Sequence, residues 1–252
     1  MSENFYDSFM ADIYDYCNFW GSYRISSGHA DKFYKKAFKD KKYNIVEFGT
    51  ATGITSIPLA RDGHTVLSID LSEAMQARAA EKLKNEDEST QKRLKFKQGN
   101  VFDFTPEIPC SAIIIPDSLL LAMATFDNQV KLLKKSYDCL EDGGLLVLDV
   151  FQPLPELLYK ENVTGESEFK LGDDTIHVYS KQNVNINTQL LHVHLEYAVN
   201  ESPSRYIYDV YYKYIFRFEL VAMLELAGFE IIDLSEDCFH YSVLAKKSSS
   251  SS

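Results

Sequence analysis

Glu47, Gly49, Gly53 and Asp70 are the residues of this sequence whose types and spacing point most directly to chemistry. An acid stands two places before Gly49, and a second glycine, Gly53, closes the loop Glu47-Phe-Gly-Thr-Ala-Thr-Gly53. Between a buried strand and a helix, such a loop lets backbone N–H groups approach a nucleotide-like ligand at the helix N-terminus. Asp70 lies about twenty residues past the loop, the separation at which an acidic side chain takes ribose hydroxyls. A dinucleotide would set its pyrophosphate on the helix N-terminus and prefers G-x-G-x-x-G, whereas Ala51 stands where a middle glycine would be. An acid ahead of the loop repels a pyrophosphate and suits a cationic ligand with free amino and hydroxyl groups. Over this stretch alone, a turn used only for packing would read the same.

A second constellation is His192-x-His194-x-Glu196, three polar residues on one face of a strand. Two imidazoles and a carboxylate suit zinc or iron. Any half-buried strand shows alternating polar residues, however, so the expectation is no metal. His29, His64, His177 and His240 stand alone and read as ordinary.

The elements that must hold these residues follow from the apolar pattern. Ile45, Val46 and Phe48 mark a short buried strand; Ile54, Ile57 and Leu59 are spaced for a helix ended by Gly63. His64–Leu71 is a second strand, and Ser72 caps an alanine-rich helix reaching about Lys84. The stretch Asn85–Arg93 reads as a charged loop. Leu94–Lys97, Ser111–Ile115 and Leu145–Val150 are three more apolar runs, with a helix over Asp127–Leu140. Five such runs alternating with helices mean a parallel sheet covered on both faces. From Phe151 the period becomes two, over Thr175–Lys181, Leu190–Val199 and Arg205–Ile215, which predicts an inserted antiparallel meander. Helical spacing returns over Phe218–Ala227, followed by strands at Ile231–Leu234 and Phe239–Ala245 and a disordered serine tail, 248–252. At the other end, Phe5–Trp20 reads as a helix or hinged lid, and Ser26 or Ser27 caps a helix with Phe33, Ala37 and Phe38 on one face.

The 252 residues suffice for one domain with an insertion, and 45% hydrophobic with 25% charged residues is ordinary for a soluble globular protein. No window approaches a membrane span, and the N-terminus lacks the regions of a signal peptide. Cys17, Cys110, Cys139 and Cys238 are scattered and read as reduced thiols of a cytoplasmic protein. The net charge of −11 argues against a nucleic-acid partner.

In order and spacing, EFGTATG, VLSIDLSEAM, QGNVFDF, AIIIPDSLLLAM, LEDGGLLVLDVF and FELVAMLELAGFEI resemble the class I S-adenosylmethionine-dependent methyltransferases. They are most similar to the bacterial small-molecule branch, in which a β-meander follows the fifth strand. The resemblance covers nearly the whole chain. It implies a doubly wound, Rossmann-like α/β fold with a seven-stranded sheet, a core of residues 1–151 and 216–247, and an inserted lid or substrate subdomain of residues 152–215. It implies S-adenosylmethionine as cofactor, with S-adenosylhomocysteine as product. Glu47, Gly49, Thr50 and Gly53 would hold the methionine end, and Asp70 the ribose. Leu71, Val101 and Phe102 would wall the adenine, Asn100 would accept from its amino group, and Pro116 would stand where the crevice opens. Tyr14, Asp117 and Ser118 would orient the acceptor at the mouth. Three departures stand out: Ala51 for the middle glycine, Asn100 for an acid, and Leu120, Leu121 and Ala122 where relatives often carry Asn or His.

The function this implies is N- or O-methylation of a small molecule by in-line displacement, by a monomer or homodimer. A protein-directed methyltransferase and a non-catalytic S-adenosylmethionine-binding or interaction protein are the competing readings.

Overall fold

A computed structural model of the chain describes residues 6–16, 29–153, 158, 162–236 and 240–248. Seven strands form one sheet: β1 (Asn44–Phe48), β2 (Thr65–Asp70), β3 (Leu94–Gln98), β4 (Cys110–Ile115), β5 (Leu140–Phe151), β10 (Phe229–Glu236) and β11 (His240–Lys247). Their order is β10-β11-β5-β4-β1-β2-β3. β11 runs antiparallel to β5 and β10; the other pairings are parallel. Neighbouring residues of the central strands bury into different layers. Ile113 and Ile115 of β4 join Phe48, Ile69 and Leu148 on one face, while Ala112 and Ile114 join Ile45, Val66 and Val147 on the other. A strand buried on both sides must read as a continuous apolar run, and these do.

Helices cover both faces. The helix Ser56–Arg61 leads from the glycine loop, and Gly63 follows at φ +94°, the left-handed helix end that glycine makes easily. The helix Glu73–Leu83 is capped by Ser72, which accepts the Met75 N–H at 3.1 Å. Phe126–Cys139 is capped in the same way by Thr125. The helix His29–Ala37 buries Tyr34 under the sheet face lined by Ala112, Ile114 and Val147. The stretch expected to be a charged loop instead contains a helix, Glu88–Arg93. It is polar on all sides and so lacks an apolar stripe, and it is started by Asp87, which accepts the N–H groups of Ser89 and Thr90.

The second sheet has four strands, β6 (Val163–Leu171), β7 (Asp174–Asn185), β8 (Leu190–Val199) and β9 (Tyr206–Lys213), in an antiparallel meander. The sequence signalled three of them; β6 is mostly exposed and carries no clear apolar alternation. Leu191, Val193, Leu195 and Tyr197 of β8 are all buried and belong to the same core cluster as Ile113 and Leu148. The meander thus closes over the first sheet and shares its core. The helix Arg217–Leu226 then returns the chain to that sheet. Toward the N-terminus, the helix Ser8–Ile13 and the 3-10 turn Tyr14–Tyr16 fill part of the expected helical segment. Its flanks, the Ser26 and Ser27 caps, Cys17, Cys238 and the tail beyond Ser248 lie outside the described residues.

Candidate active site

β1 and β4 lie side by side, yet the chain proceeds outward from them in opposite directions. Loops leaving their carboxyl ends therefore diverge and open a crevice, where sheets of this kind bind ligands. The glycine loop stands on one lip. Gly49 has φ +85°, and a Cβ there would lie 3.0 Å from Leu119 Cδ2, so both conformation and close packing demand glycine. Ala51 takes φ +44° despite its methyl group, and its N–H donates to Asp70 Oδ2 at 3.0 Å. The loop so reaches the left-handed turn that a middle glycine would have made at less cost.

Two carboxylates flank this loop at the ends of adjacent strands. Glu47 is fully buried and accepts from the Ser68 hydroxyl, its neighbour across the β1–β2 pairing. Ser68 also shares a 2.7 Å hydrogen bond with the Thr50 hydroxyl. Asp70 accepts the N–H groups of Ala51 and, at 2.8 Å, Ser72. Burial pushes the Asp70 pKa up, against the opposing pull of these backbone donors.

The acceptor side is built by the N-terminal helix, the β4 loop and the meander. Tyr14 donates to Asp117 Oδ2 at 2.9 Å. The charge of Asp117 also reaches Tyr6 and Tyr212. Burial raises the Tyr6 pKa well above the ordinary phenol value, aided by Tyr212, Asp70 and Asp117. Burial, then Asp117, raises that of Tyr212. Tyr6 thus feels the charge of both Asp70 and Asp117. The N-terminal segment that bears Tyr6 and Tyr14 is tied at both ends. Asp7 accepts from the Tyr208 hydroxyl of β9 at 2.9 and 3.0 Å. Asp15 accepts from Thr52 in the glycine loop and from Lys82 at 2.8 Å.

Not every expected site residue presents its side chain to the crevice. Leu71 is 62% exposed, as a residue lying on a ligand must be. Val101 and Phe102 are half-buried against the core. Asn100 Oδ1 accepts the Phe102 N–H at 3.0 Å, so its carbonyl already shapes its own turn. The Thr50 hydroxyl is buried against Ser68, and Thr50 can offer a ligand only its backbone. Pro116 is buried. The Ser118 hydroxyl accepts the Phe151 N–H at 2.9 Å, which ties it to β5. Residues the sequence did not single out also converge here: Tyr6, Tyr212 and Asp149. Asp149, 3% exposed, accepts from Tyr34 and from the Asp117 N–H. An acid inside the apolar run Leu-Leu-Val-Leu-Asp-Val was the available signal.

The histidine pair stands apart, on the meander face opposite its apolar one. Asp209 Oδ1 lies 2.6 Å from His192 Nε2 and 3.1 Å from His194 Nδ1, and Glu196 lies 3.1 Å from His194 Nε2. Among the described residues, no group of three or more His, Cys, Asp or Glu could hold a metal ion. Cys110 and Cys139 are buried and free, and burial pushes the Cys110 thiol up to about 12.

The donor set suits S-adenosylmethionine. Glu47 ahead of the glycine turn and Asp70 at the ribose position fit a cationic ligand with amino and hydroxyl groups, and an acid ahead of the turn disfavours a pyrophosphate. The fold is that of the class I S-adenosylmethionine-dependent methyltransferases, with a β insertion. Residues 46–146 match the family described as a methyltransferase domain. Among solved structures, the chain is similar to the CcbJ methyltransferase from Streptomyces caelestis, at 20% identity and TM-score 0.78, covering 95% of this chain and 96% of that one. It is similar to the amino pentose methyltransferase CalS10 from Micromonospora echinaspora, at 16% identity and TM-score 0.69, covering 98% and 100%. It is also similar to the sugar N-methyltransferase KedS8 from Streptoalloteichus, at 14% identity and TM-score 0.71, covering 94% and 92%. No curated protein matches the sequence. No helix among the described residues is long and apolar enough to cross a membrane.

Proposed function

We propose that this enzyme methylates an amino nitrogen of a small polar acceptor. The observation that carries the reading is the Asp117 carboxylate at the crevice rim, hydrogen-bonded to Tyr14 at 2.9 Å. S-adenosylmethionine, when bound, supplies a methyl group on a sulfonium. Glu47, the glycine loop and Asp70 would hold it. Asp117 aligns the acceptor by accepting an N–H, and its charge stabilises the positive charge that grows on nitrogen during attack. A neutral amine attacks with its own lone pair, so no strong base is required. A hydroxyl acceptor would need its proton removed, a task for which this rim offers a carboxylate and phenols whose pKa values are raised. The N-terminal helix, pinned to both the glycine loop and the meander, would exclude water from the transfer.

Residues 152–215 would then form the lid that selects the acceptor, over a core of residues 1–151 and 216–247. β9 supports this, because Tyr208 binds Asp7 of the N-terminal segment and Tyr212 packs on Phe151 at 5.4 Å. The relatives named for amino pentose and sugar N-methylation support the amine class. The test is a matched pair of acceptors, glucosamine and glucose, together with simple alkylamines and alcohols, each incubated with methyl-labelled S-adenosylmethionine. Label entering the amines alone is expected; label entering only the alcohols would overturn the assignment.

A further inference from the structure

The turn that presents Asp117 is conformationally costly. Asp117 has φ +54° and Ser118 φ +60°, two successive left-handed residues, each with a Cβ. Such a turn persists only where its surroundings hold it. Here the holder is Asp149, at the carboxyl end of β5. Its Oδ2 accepts the Asp117 N–H at 3.1 Å, and its backbone carbonyl accepts the Ser118 N–H at 3.1 Å. Ser118 returns a bond to β5 through its hydroxyl, which accepts the Phe151 N–H. Asp149 is in turn held by Tyr34, whose hydroxyl donates to Oδ1 at 2.5 Å. Tyr34 is 2% exposed and comes from the helix on the far face of the sheet, 115 residues away in sequence.

We propose that Tyr34 and Asp149 are positioning residues that fix the Asp117 turn, and through it the carboxylate that meets Tyr14. The inference deepens the acceptor role given to Asp117 and rests on that reading for its functional meaning. Neither residue faces the crevice. A buried carboxylate with two donors on separate oxygens has little freedom to rotate, so the N–H it accepts is fixed in space. The acid orients the turn and the phenol orients the acid.

The test uses the full chain saturated with S-adenosylhomocysteine, without an acceptor. Tyr34→Phe removes one hydroxyl and keeps the ring; Asp149→Asn keeps the shape and exchanges an acceptor for a donor. Amide hydrogen exchange is read residue by residue, and 3-fluorotyrosine placed at position 14 reports its bond to Asp117 by fluorine resonance. In both variants, exchange of the Asp117 and Ser118 amides should quicken by about tenfold, the scale of one lost hydrogen bond. The amides of Ile45 and Val46 should not change, and affinity for S-adenosylhomocysteine should stay within about twofold. The fluorine signal should move toward its position in Asp117→Asn. Unchanged local exchange and an unmoved signal would overturn the proposal. Acceleration spread equally over β1 would also overturn it, because that marks a merely structural role. No acceptor enters this experiment, so failure of the amine assignment and failure of the positioning role remain distinguishable.

Discussion

Tyr14 and Asp117, 103 residues apart, meet in a 2.9 Å hydrogen bond at the mouth of the crevice. The pair joins the N-terminal turn to the loop after β4 and sets one oxygen of the carboxylate. That bond fixes the orientation of the carboxylate at the mouth. Asp117→Asn should therefore lower turnover by about a hundredfold, the usual scale for losing an electrostatic partner of a developing charge. Tyr14→Phe should lower it by about tenfold or less, the scale of one neutral donor. Both should leave S-adenosylhomocysteine affinity nearly unchanged. Steady-state kinetics beside calorimetry check this, and an equal loss of cofactor affinity would show that the pair belongs to the cofactor site.

Ala51 offers a gain-of-stability test. Its φ of +44° costs a residue with a Cβ about 1–2 kcal/mol, partly offset in glycine by a more flexible unfolded chain. Ala51→Gly should stabilise the protein by roughly 0.5–1 kcal/mol and raise Tm by about 1–3 °C in a chain of this size. A lower Tm in thermal unfolding would mean the methyl group makes contacts that outweigh its strain.

How much of this was legible in the sequence depended on distance along the chain. Glu47, Gly49, Gly53 and Asp70 fall within one strand-turn-helix-strand unit, whose geometry is set by local pattern, so their convergence could be read directly. Tyr14 and Asp117 were reached through resemblance. Asp149 went unnoticed because its partner Tyr34 is remote and its neighbours read as plain strand. The directions of the Thr50 and Ser118 hydroxyls were also hidden. A loop residue's side chain can turn toward ligand or toward the neighbouring strand, and only packing decides. β6 and the helix Glu88–Arg93 escaped for a simpler reason, since neither buries an apolar face that leaves a period.

The outer face of the meander should make stability depend on pH. Burial opposes charge on His194, but hydrogen bonds from Asp209 and Glu196 outweigh it and raise the pKa. Burial likewise opposes charge on Asp209, yet the two imidazoles prevail and lower its pKa. His192 stacks on Tyr211 at 4.6 Å, and Lys181 of β7 stands opposite His194. A raised histidine pKa stabilises fully below the unfolded value of about 6.5 and loses that effect as pH rises through the folded one. A lowered aspartate pKa stabilises above about 3.9 and loses its effect as pH falls through the folded value. The cluster therefore contributes most between about pH 4 and 6.5. Asp209→Asn should lower Tm more at about pH 5.5 than at about pH 8.5. The opposite order in thermal unfolding would show that the histidines are held neutral.

The strap between the N-terminal helix and the meander separates a lid from an assembly surface. Tyr208→Phe removes the donor to both oxygens of Asp7 while keeping the ring packed. Turnover should fall by about threefold to tenfold, the scale of a bond to a charged group, with mass in solution unchanged. Sedimentation showing a smaller species with turnover intact would assign the meander to subunit contact.

Calorimetry of the purified protein against S-adenosylhomocysteine and against NAD tests the account most directly. The Glu47 acid ahead of the glycine loop should admit the first ligand and disfavour the pyrophosphate of the second. Asp70→Ala should weaken S-adenosylhomocysteine by about 1–3 kcal/mol, the cost of leaving buried hydrogen-bonding groups unpaired. Binding of S-adenosylhomocysteine alone, weakened in Asp70→Ala, is the predicted result; heat from NAD with no response to S-adenosylhomocysteine would contradict it.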